Sequence, residues 1–563
     1  MMIKKLRPLD NNLSLTRRAL IKGLGLLPLL PLLPACQHAT KAPQSAESDY
    51  LSLISPINRT LNDYARPKFT GDDFTRPHQI LWDKSSYIKT IGGLPKPKRK
   101  EDLVIIGGGM SGLMSAYLLR DKKPIILEQA RRFGGNAKGE AWNGLHYAIG
   151  AAYFVKPEQD SGLYKILQDL NIVKDWSVKN GSHAHVVING KLLENFWAGN
   201  SEPGHKAIYK TLYDYFMSFI NEGGNIFPDY PTDDAKLRQY VNKLDQENFK
   251  SHLERTIGST LPPKLTTLLE HYCFSTFGGS ATEISAAAGI NFFAAEFSDI
   301  AVFPGGNAYI AEALLKYLHK ELPANNLLPG NLVFSVQAQH NGILVSYIDA
   351  NNQAQSILTE KVIMSCPKFV VAKLIDQLPP AKSAAISELE YRAYVVANLL
   401  INQPINETDY DLYWLGAGNA DVDNVAAYAK SCGITDVINA NFSSPDREKS
   451  ILSFYQAFPY NGGRTELYAQ NSYAGMKTKI SNQLKNEIYP YYQLTDQDIV
   501  DLRLTRWGHP LPLAAVGLLS RGVVDKLRAP IDNHIYFIEQ DNWALPAIET
   551  VVAEAIYWSS VIR

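Results

Sequence analysis

Residues 103–139 read LVIIGGGMSGLMSAYLLRDKKPIILEQARRFGGNAKG. An apolar run, Leu103 to Ile106, enters a glycine-rich turn, and Leu113, Ala116, Tyr117 and Leu119 then recur at helical spacing. A second apolar run from Pro124 to Leu127 ends at Glu128. The order predicts strand, turn, helix, strand, the opening unit of a doubly wound α/β sheet. Gly107 lets the chain leave the strand in a tight turn, Gly109 lets backbone approach a pyrophosphate, and Gly112 lets the helix pack closely on the strand. The helix beginning near Met110 and Ser111 aims its free N–H groups and positive dipole end at phosphate. Glu128, 21 residues after Gly107, stands where a carboxylate accepts both ribose hydroxyls. These agreements predict a dinucleotide site, and the acid argues against a 2′-phosphate and so against NADP.

Outward from this unit come Arg132-Phe133-Gly134-Gly135-Asn136 and then WNGLHYAIGAAYF (142–154), which contains Gly150 and Ala151. Further along stand Phe303-Pro304-Gly305-Gly306-Asn307, NLVFSVQAQHNGILVSYIDANNQ (331–353), KVIMSCPKFVVAKLI (361–375) and the tail IYFIEQDNWALPAIETVVAEAIYWSSVI (535–562). Together these pieces, about 200 residues, resemble the flavin-containing amine oxidase and phytoene desaturase superfamily. The resemblance implies FAD as cofactor. It places Gly134 and Gly135 after the ribose acid, Gly150 and Ala151 near the flavin ring, and the backbone of Val333 on the adenine. It also places Asp541 on the ribityl chain or pyrophosphate and the N–H of Ile548 at the flavin O2. NAD enzymes of the Rossmann type lack that distant C-terminal closure.

The FAD-like pieces, about 101–159, 300–375 and 500–563, are separated by 160–299 and 376–499. The expected architecture is a Rossmann-like FAD domain interrupted by a mixed α+β substrate domain. Aromatic runs in the inserts, such as SFYQAFPY (453–460) and DYDLYWLG (409–416), offer rings for an apolar cavity over the flavin, although most aromatics serve ordinary packing.

With 563 residues, 45% of them hydrophobic, and 56 basic against 56 acidic groups, the chain is an ordinary globular protein of more than one domain. No basic surplus points to nucleic acid. The first 35 residues nevertheless hold six Lys and Arg against one acid, Asp10, which leaves 50 basic and 55 acidic groups beyond them. That opening is basic, then apolar from Gly23 to Ala35, then Cys36, and reads as a targeting segment. Thirteen apolar residues broken by Pro28, Pro31 and Pro34 do not span a bilayer as a helix. Thr16 to Lys22 resembles a twin-arginine export signal, and Leu33-Pro34-Ala35-Cys36 resembles a lipoprotein cleavage box. Residues 1–36 are therefore expected as a signal and 37–100 as a flexible tether and N-terminal extension. The mature protein would hang from a membrane by a lipid on Cys36, facing the periplasm. Export of folded protein suits a flavoprotein, because FAD is loaded in the cytoplasm.

Cys273, Cys366 and Cys432 are widely spaced and read as small buried hydrophobes, not as disulfide or metal residues. His183 and His185 read as surface or structural residues, and no metal site is expected. For catalysis, a flavin needs its substrate held against N5 and shielded from water, without a protein nucleophile. The polar candidates near the ring are Trp507 and His509 in LTRWGHPLP, with His509 able to move a proton near its ordinary pKa.

Against the family pattern, Val396 stands where amine oxidases commonly carry a lysine, and Pro546 and Ala547 stand where a second aromatic ring would sit. Ala130 and Asn136 replace two customary arginines. The expected activity is thus a dehydrogenase- or desaturase-like transfer of hydride from a small organic substrate to flavin N5, with an electron acceptor of unknown identity. An amine or polyamine oxidase or dehydrogenase, and a noncatalytic flavoprotein acting as an interaction scaffold, are the alternatives.

Overall fold

The computed structural model describes residues 57–58 and 68–563, apart from 182–184, 222, 408, 421–423, 445 and 447. The signal, Cys36, most of the tether before 68, and His183 lie outside the described residues.

Strand Arg99–Ile106 shows how one short run organises two cores. Leu103 and Ile105 pack on one side with the helices Met110–Leu118, Ala308–Glu321 and Ile548–Ile562. Val104 and Ile106 pack on the other, against the hairpin Leu332–Gln339 and Gly342–Ile348 and the helix Lys368–Leu374. Alternation along a strand sends successive side chains to opposite faces, so a strand covered on both faces reads as continuously apolar.

The sheet runs in the order Leu327–Pro329, Ile125–Glu128, Arg99–Ile106, Ala354–Met364, Gly342–Ile348, Leu332–Gln339. Its first four strands are parallel where they pair, with Val104 opposite Ile125 and Val362 opposite Val104. On the edge away from Arg99–Ile106, strand Ala354–Met364 serves two neighbours. Its first half takes the antiparallel hairpin, and its last three residues pair in parallel with Ile535–Phe537. That pairing brings the C-terminal tail beside the glycine-rich turn. The architecture is mixed α/β with a Rossmann-like sheet.

A second, eight-stranded sheet runs Lys191–Leu193, Val186–Ile188, Asp411–Trp414, Asp436–Asn439, Ser450–Phe458, Tyr391–Ile401, Ile499–Pro512, Thr70–Gly71. Its centre is the long antiparallel pairing of Tyr391–Ile401 with both Ser450–Phe458 and Ile499–Pro512. Helices from Lys206–Met217 to Ala286–Ala295 build a separate apolar core beside it.

Two expectations from the sequence are corrected here. Residues 499–512 do not belong with the FAD-like sheet, because their hydrogen bonds go to Tyr391–Ile401; the return expected at 500 comes after this strand. Residues 68–98 are no tether. They form a short strand and the helices Thr75–Leu81 and Lys84–Thr90, because Phe69, Leu81, Tyr87 and Ile88 find apolar partners in the two domains. Among the described residues no helix is long and apolar enough to cross a membrane.

Candidate functional site

One cavity of about 1120 Å³ lies between the two sheets, and nearly every residue singled out in the sequence faces it. Gly107, Gly109, Met110, Ser111, Glu128, Gly134, Gly135, Ala151, Val333, Asp541 and Ile548 line it, as do Trp507 and His509. The turn at 107–112 and the closing segment at 541–548, over 400 residues apart in sequence, share one space.

Backbone builds the dinucleotide end. Gly107 has φ +113°, a left-handed conformation, and a Cβ there would lie 2.4 Å from the carbonyl oxygen of Ser365. Gly112 does not line the cavity; a Cβ on it would lie 1.9 Å from the carbonyl oxygen of Gly107, so its role is the close packing of helix on strand. The glycine doublet lies on the turn, with the N–H of Gly134 donating to the carbonyl of Gly108 at 2.8 Å. Glu128 is held by two backbone donors, Gly108 N–H at 2.7 Å and Ala130 N–H at 2.8 Å, which fix the carboxylate at the cavity wall.

Two helices end on this space without a side-chain cap: Met110–Leu118, preceded by Gly109, and Ile548–Ile562, preceded by Ala547. Their first-turn N–H groups have no intrahelical partners and carry the positive dipole end, an arrangement that attracts an anion. Gly150 corrects its expectation. It does not line the cavity; a Cβ there would lie 2.1 Å from the Asn136 carbonyl, so it packs one loop onto another while Ala151 faces inward.

Sequence reasoning missed a buried charge cluster at this end. The Lys368 ammonium is 0% exposed and donates to Glu539 and to Asn542 Oδ1. The backbone N–H of Lys368 donates to Asp541 Oδ2 at 2.9 Å, and the Tyr391 hydroxyl donates to the same oxygen at 2.5 Å. Burial pushes both Glu539 and Asp541 above the usual carboxylate range, while the Lys368 charge opposes it. Asp541 Oδ1 is buried without a hydrogen-bond partner, as are Asn307 Oδ1 and Ser365 Oγ, and all three residues face the cavity. Buried acceptors of this kind call for a donor. FAD fits this lining: its ribityl and ribose hydroxyls would supply donors for Asp541 and Glu128, and its pyrophosphate would suit the Gly-rich cradle and the helix N-terminus. Lys368, the middle one of three lysines in KVIMSCPKFVVAKLI and the one set between apolar residues and a proline, is the one sequence signal for this cluster.

Beside this cluster, and joined to it at Tyr391, the cavity wall is made of side chains from scattered segments. The His509 ring stacks on Phe369 with centroids 4.1 Å apart, and Tyr391 meets both edge-on. Burial, with Arg464 and His78 nearby, lowers the His509 pKa to about 3. The imidazole is therefore neutral at ordinary pH, which corrects the expectation of a proton shuttle near neutrality. Trp507 is 6% exposed and donates its indole N–H to the Ile149 carbonyl at 2.6 Å, so it contributes a ring face and no free donor. Val396 is buried among Tyr394, Trp507 and other apolar residues and does not reach the cavity. The runs 409–416 and 453–460 pack into cores. Cys366 lines the cavity with its thiol pKa raised by burial, and Cys273 and Cys432 are likewise free thiols. His185 lies 3.3 Å from Asp409, and among the described residues no cluster of metal ligands occurs.

Comparison with known proteins agrees with this geometry. A family model described as flavin containing amine oxidoreductase matches residues 110–537. Oxidoreductase PigB from Serratia sp. strain ATCC 39006 is 22% identical over 515 residues, covering 82% of this chain and 75% of that protein. Putrescine oxidase, in a structure with putrescine bound, superposes with a TM-score of 0.59 at 15% identity, covering 82% of this chain and 99% of that one. Cyclohexylamine oxidase from Brevibacterium oxydans gives a TM-score of 0.56 at 13% identity, covering 82% and 98%. The chain belongs to the flavin-containing amine oxidoreductase family and is an FAD-dependent oxidoreductase.

Proposed function

We propose that this oxidoreductase is of the dehydrogenase or desaturase type, that it acts on a small organic molecule of low charge, and that it works on the periplasmic face of a membrane. The observation that carries the substrate reading is the aromatic part of the cavity wall, where Phe369, Tyr391, Trp507 and a neutral His509 gather. Rings stacked in this way hold a planar or apolar group by area and shape and keep water from it. FAD, when bound, supplies the two-electron acceptor. Val396, buried where a lysine is customary in amine oxidases, supports a dehydrogenase over an amine oxidase.

The residues of the chain have separate tasks in this reading. Glu128 and Asp541 hold hydroxyls and so fix the cofactor along the cleft. The uncapped start of Ile548–Ile562 offers N–H groups to negative charge that develops near it. His509 orients substrate as a neutral acceptor or donor at a ring nitrogen. Thr16 to Lys22 and Leu33 to Cys36 support export through the twin-arginine route and lipid attachment at Cys36.

Anaerobic titration of the purified protein with neutral heterocycles and alcohols on one side and with primary amines and polyamines on the other tests the activity. Bleaching of the flavin absorption by the neutral group alone is expected. Bleaching by the amines alone would overturn the reading in favour of an amine dehydrogenase, and bleaching by neither would favour a noncatalytic flavoprotein. For the location, Arg17→Lys with Arg18→Lys is expected to stop export and Cys36→Ala to release the protein from membranes. Unchanged fractionation of both variants would contradict the proposed address.

A further inference from the structure

We infer that residues 70–82 form a strap that crosses the cofactor cleft and retains FAD. The inference rests on FAD binding and goes beyond the family assignment, which begins at residue 110. One end of the strap is fastened to the second sheet. Thr70–Gly71 pairs in parallel with Thr505–Arg506, and a Cβ on Gly71 would lie 2.4 Å from the Arg506 carbonyl, so the crossing is as close as backbone permits. The Asp72 carboxylate then accepts from the Gly508 N–H at 2.9 Å, from Arg506 Nε at 3.4 Å and from the Tyr468 hydroxyl. The Arg506 guanidinium lies over Tyr468 at 4.0 Å and over Phe69 and Phe74 of the same arm at 4.9 Å each.

The other end is fastened to the FAD-like sheet. Arg76 donates to three carbonyls, Gly330 at 2.7 Å, Ile348 at 3.0 Å and Asp349 at 2.8 Å, which flank the hairpin that carries Val333. Midway, Gln129, the residue after the ribose acid, donates to the Asp73 carbonyl at 3.4 Å. Asp73 and Phe74 between these fastenings, with Asp72 itself and His78 and Leu81 just beyond Arg76, face the same cavity as Gly107 and Glu128. A segment tied to both walls of a cleft, with its middle facing the contents, must part from one wall before a ligand the length of a dinucleotide can leave. Arg76 and Asp72 are thus cofactor-retaining residues that act by position, and loading of FAD precedes closure of the strap.

The test uses the full-length, FAD-loaded protein. Flavin release is followed by the rise of free-flavin fluorescence after dilution, for the parent, Arg76→Ala, Asp72→Asn and the double variant. Alongside it runs the thermal midpoint of each protein stripped of flavin. Release tenfold or more faster in each single variant, and faster still in the double, is expected, with flavin-free midpoints close to that of the parent. Release within twofold of the parent in all variants would overturn the strap. Equal falls in midpoint and retention would also overturn it, since the arm would then be a structural brace. Should Arg76→Ala fold poorly, Arg76→Lys keeps the charge without the planar fork and is expected to release flavin at an intermediate rate. A parent without flavin would overturn the cofactor assignment itself, which is a distinct outcome.

Discussion

The cavity has two kinds of wall, built by opposite strategies. At the dinucleotide end, the surface offered to the ligand is backbone: a turn from which side chains have been removed, two uncapped helix starts, and two carboxylates pinned by backbone N–H groups. Elsewhere in the wall the surface is ring after ring, from segments around 74, 369, 391, 468 and 507, with Tyr391 and Trp507 supplied by the second sheet. The first construction fixes one ligand and tolerates almost no added atom. The second supplies shape and dryness, and its rings can be exchanged with modest loss of fold. Members of one family can therefore share a cofactor and differ in what they oxidise.

The sharpest way to break this comparison is to attack the charge cluster behind the dinucleotide end. Lys368→Met leaves Glu539 and Asp541 buried with no cation between them, and removing one partner of such a cluster costs about 3–5 kcal/mol. Both carboxyls titrate above their unfolded range, so each contributes stability that is present at low pH and lost as pH rises through the folded value. The deficit of the variant, read by chemical denaturation, is accordingly expected to be larger at pH 8 than at pH 6. A pH-independent deficit would contradict the assignment.

Gly112→Ala is the next largest. A methyl group placed 1.9 Å from a carbonyl oxygen forces helix and strand apart, an overpacking that costs about 1–3 kcal/mol and widens the cradle. FAD affinity, measured by fluorescence titration of the stripped protein, is expected to fall at least tenfold. By contrast, a ring exchange in the aromatic wall, Phe369→Leu, is expected to leave that affinity within about threefold.

The smallest effect concerns pH at the ring wall. His509 has a folded pKa of about 3 against an ordinary 6.5, so its neutral form stabilises the fold above pH 6.5, and that contribution is lost as pH falls through this window. Replacing it by phenylalanine removes the titration. The variant is expected to lose roughly 1 kcal/mol less stability than the parent over the first pH unit below 6.5. Parallel acid sensitivity in the two proteins would show that His509 is not held neutral by burial.

What could be read from the sequence follows the same division. The turn, the helix start and Glu128 lie within 22 residues of one another and obey a local rule, that backbone approaches phosphate only where a Cβ is missing. Asp541 and Ile548 were legible only through the family pattern, because what brings them near is the pairing of Ile535–Phe537 with the end of strand Ala354–Met364. The ring wall left no such trace: Phe369, Tyr391 and Tyr468 obey no common spacing, and the obvious aromatic runs at 409–416 and 453–460 turned out to be core. Residues 68–98 fall within the stretch expected as tether and N-terminal extension, and carry no motif that announces their order. Their order comes from partners more than 200 residues away, such as the Gly330 carbonyl for Arg76 and Thr505 for Thr70. Gly150 was placed in the right loop and given the wrong task, since a glycine needed for loop packing and one needed beside a ligand look alike in sequence.

Function as a flavoenzyme requires the cradle at 107–112 and the closing segment at 541–548 to grip one and the same molecule. The direct measurement is the flavin stoichiometry of the purified full-length protein, taken as FAD released on denaturation per chain and compared with that of Gly112→Val and of Asp541→Ala. The account predicts one FAD per chain in the parent and its loss in both variants while the chains remain folded. A folded parent that carries no FAD and takes none up when it is supplied, or variants that keep a full complement, would contradict it.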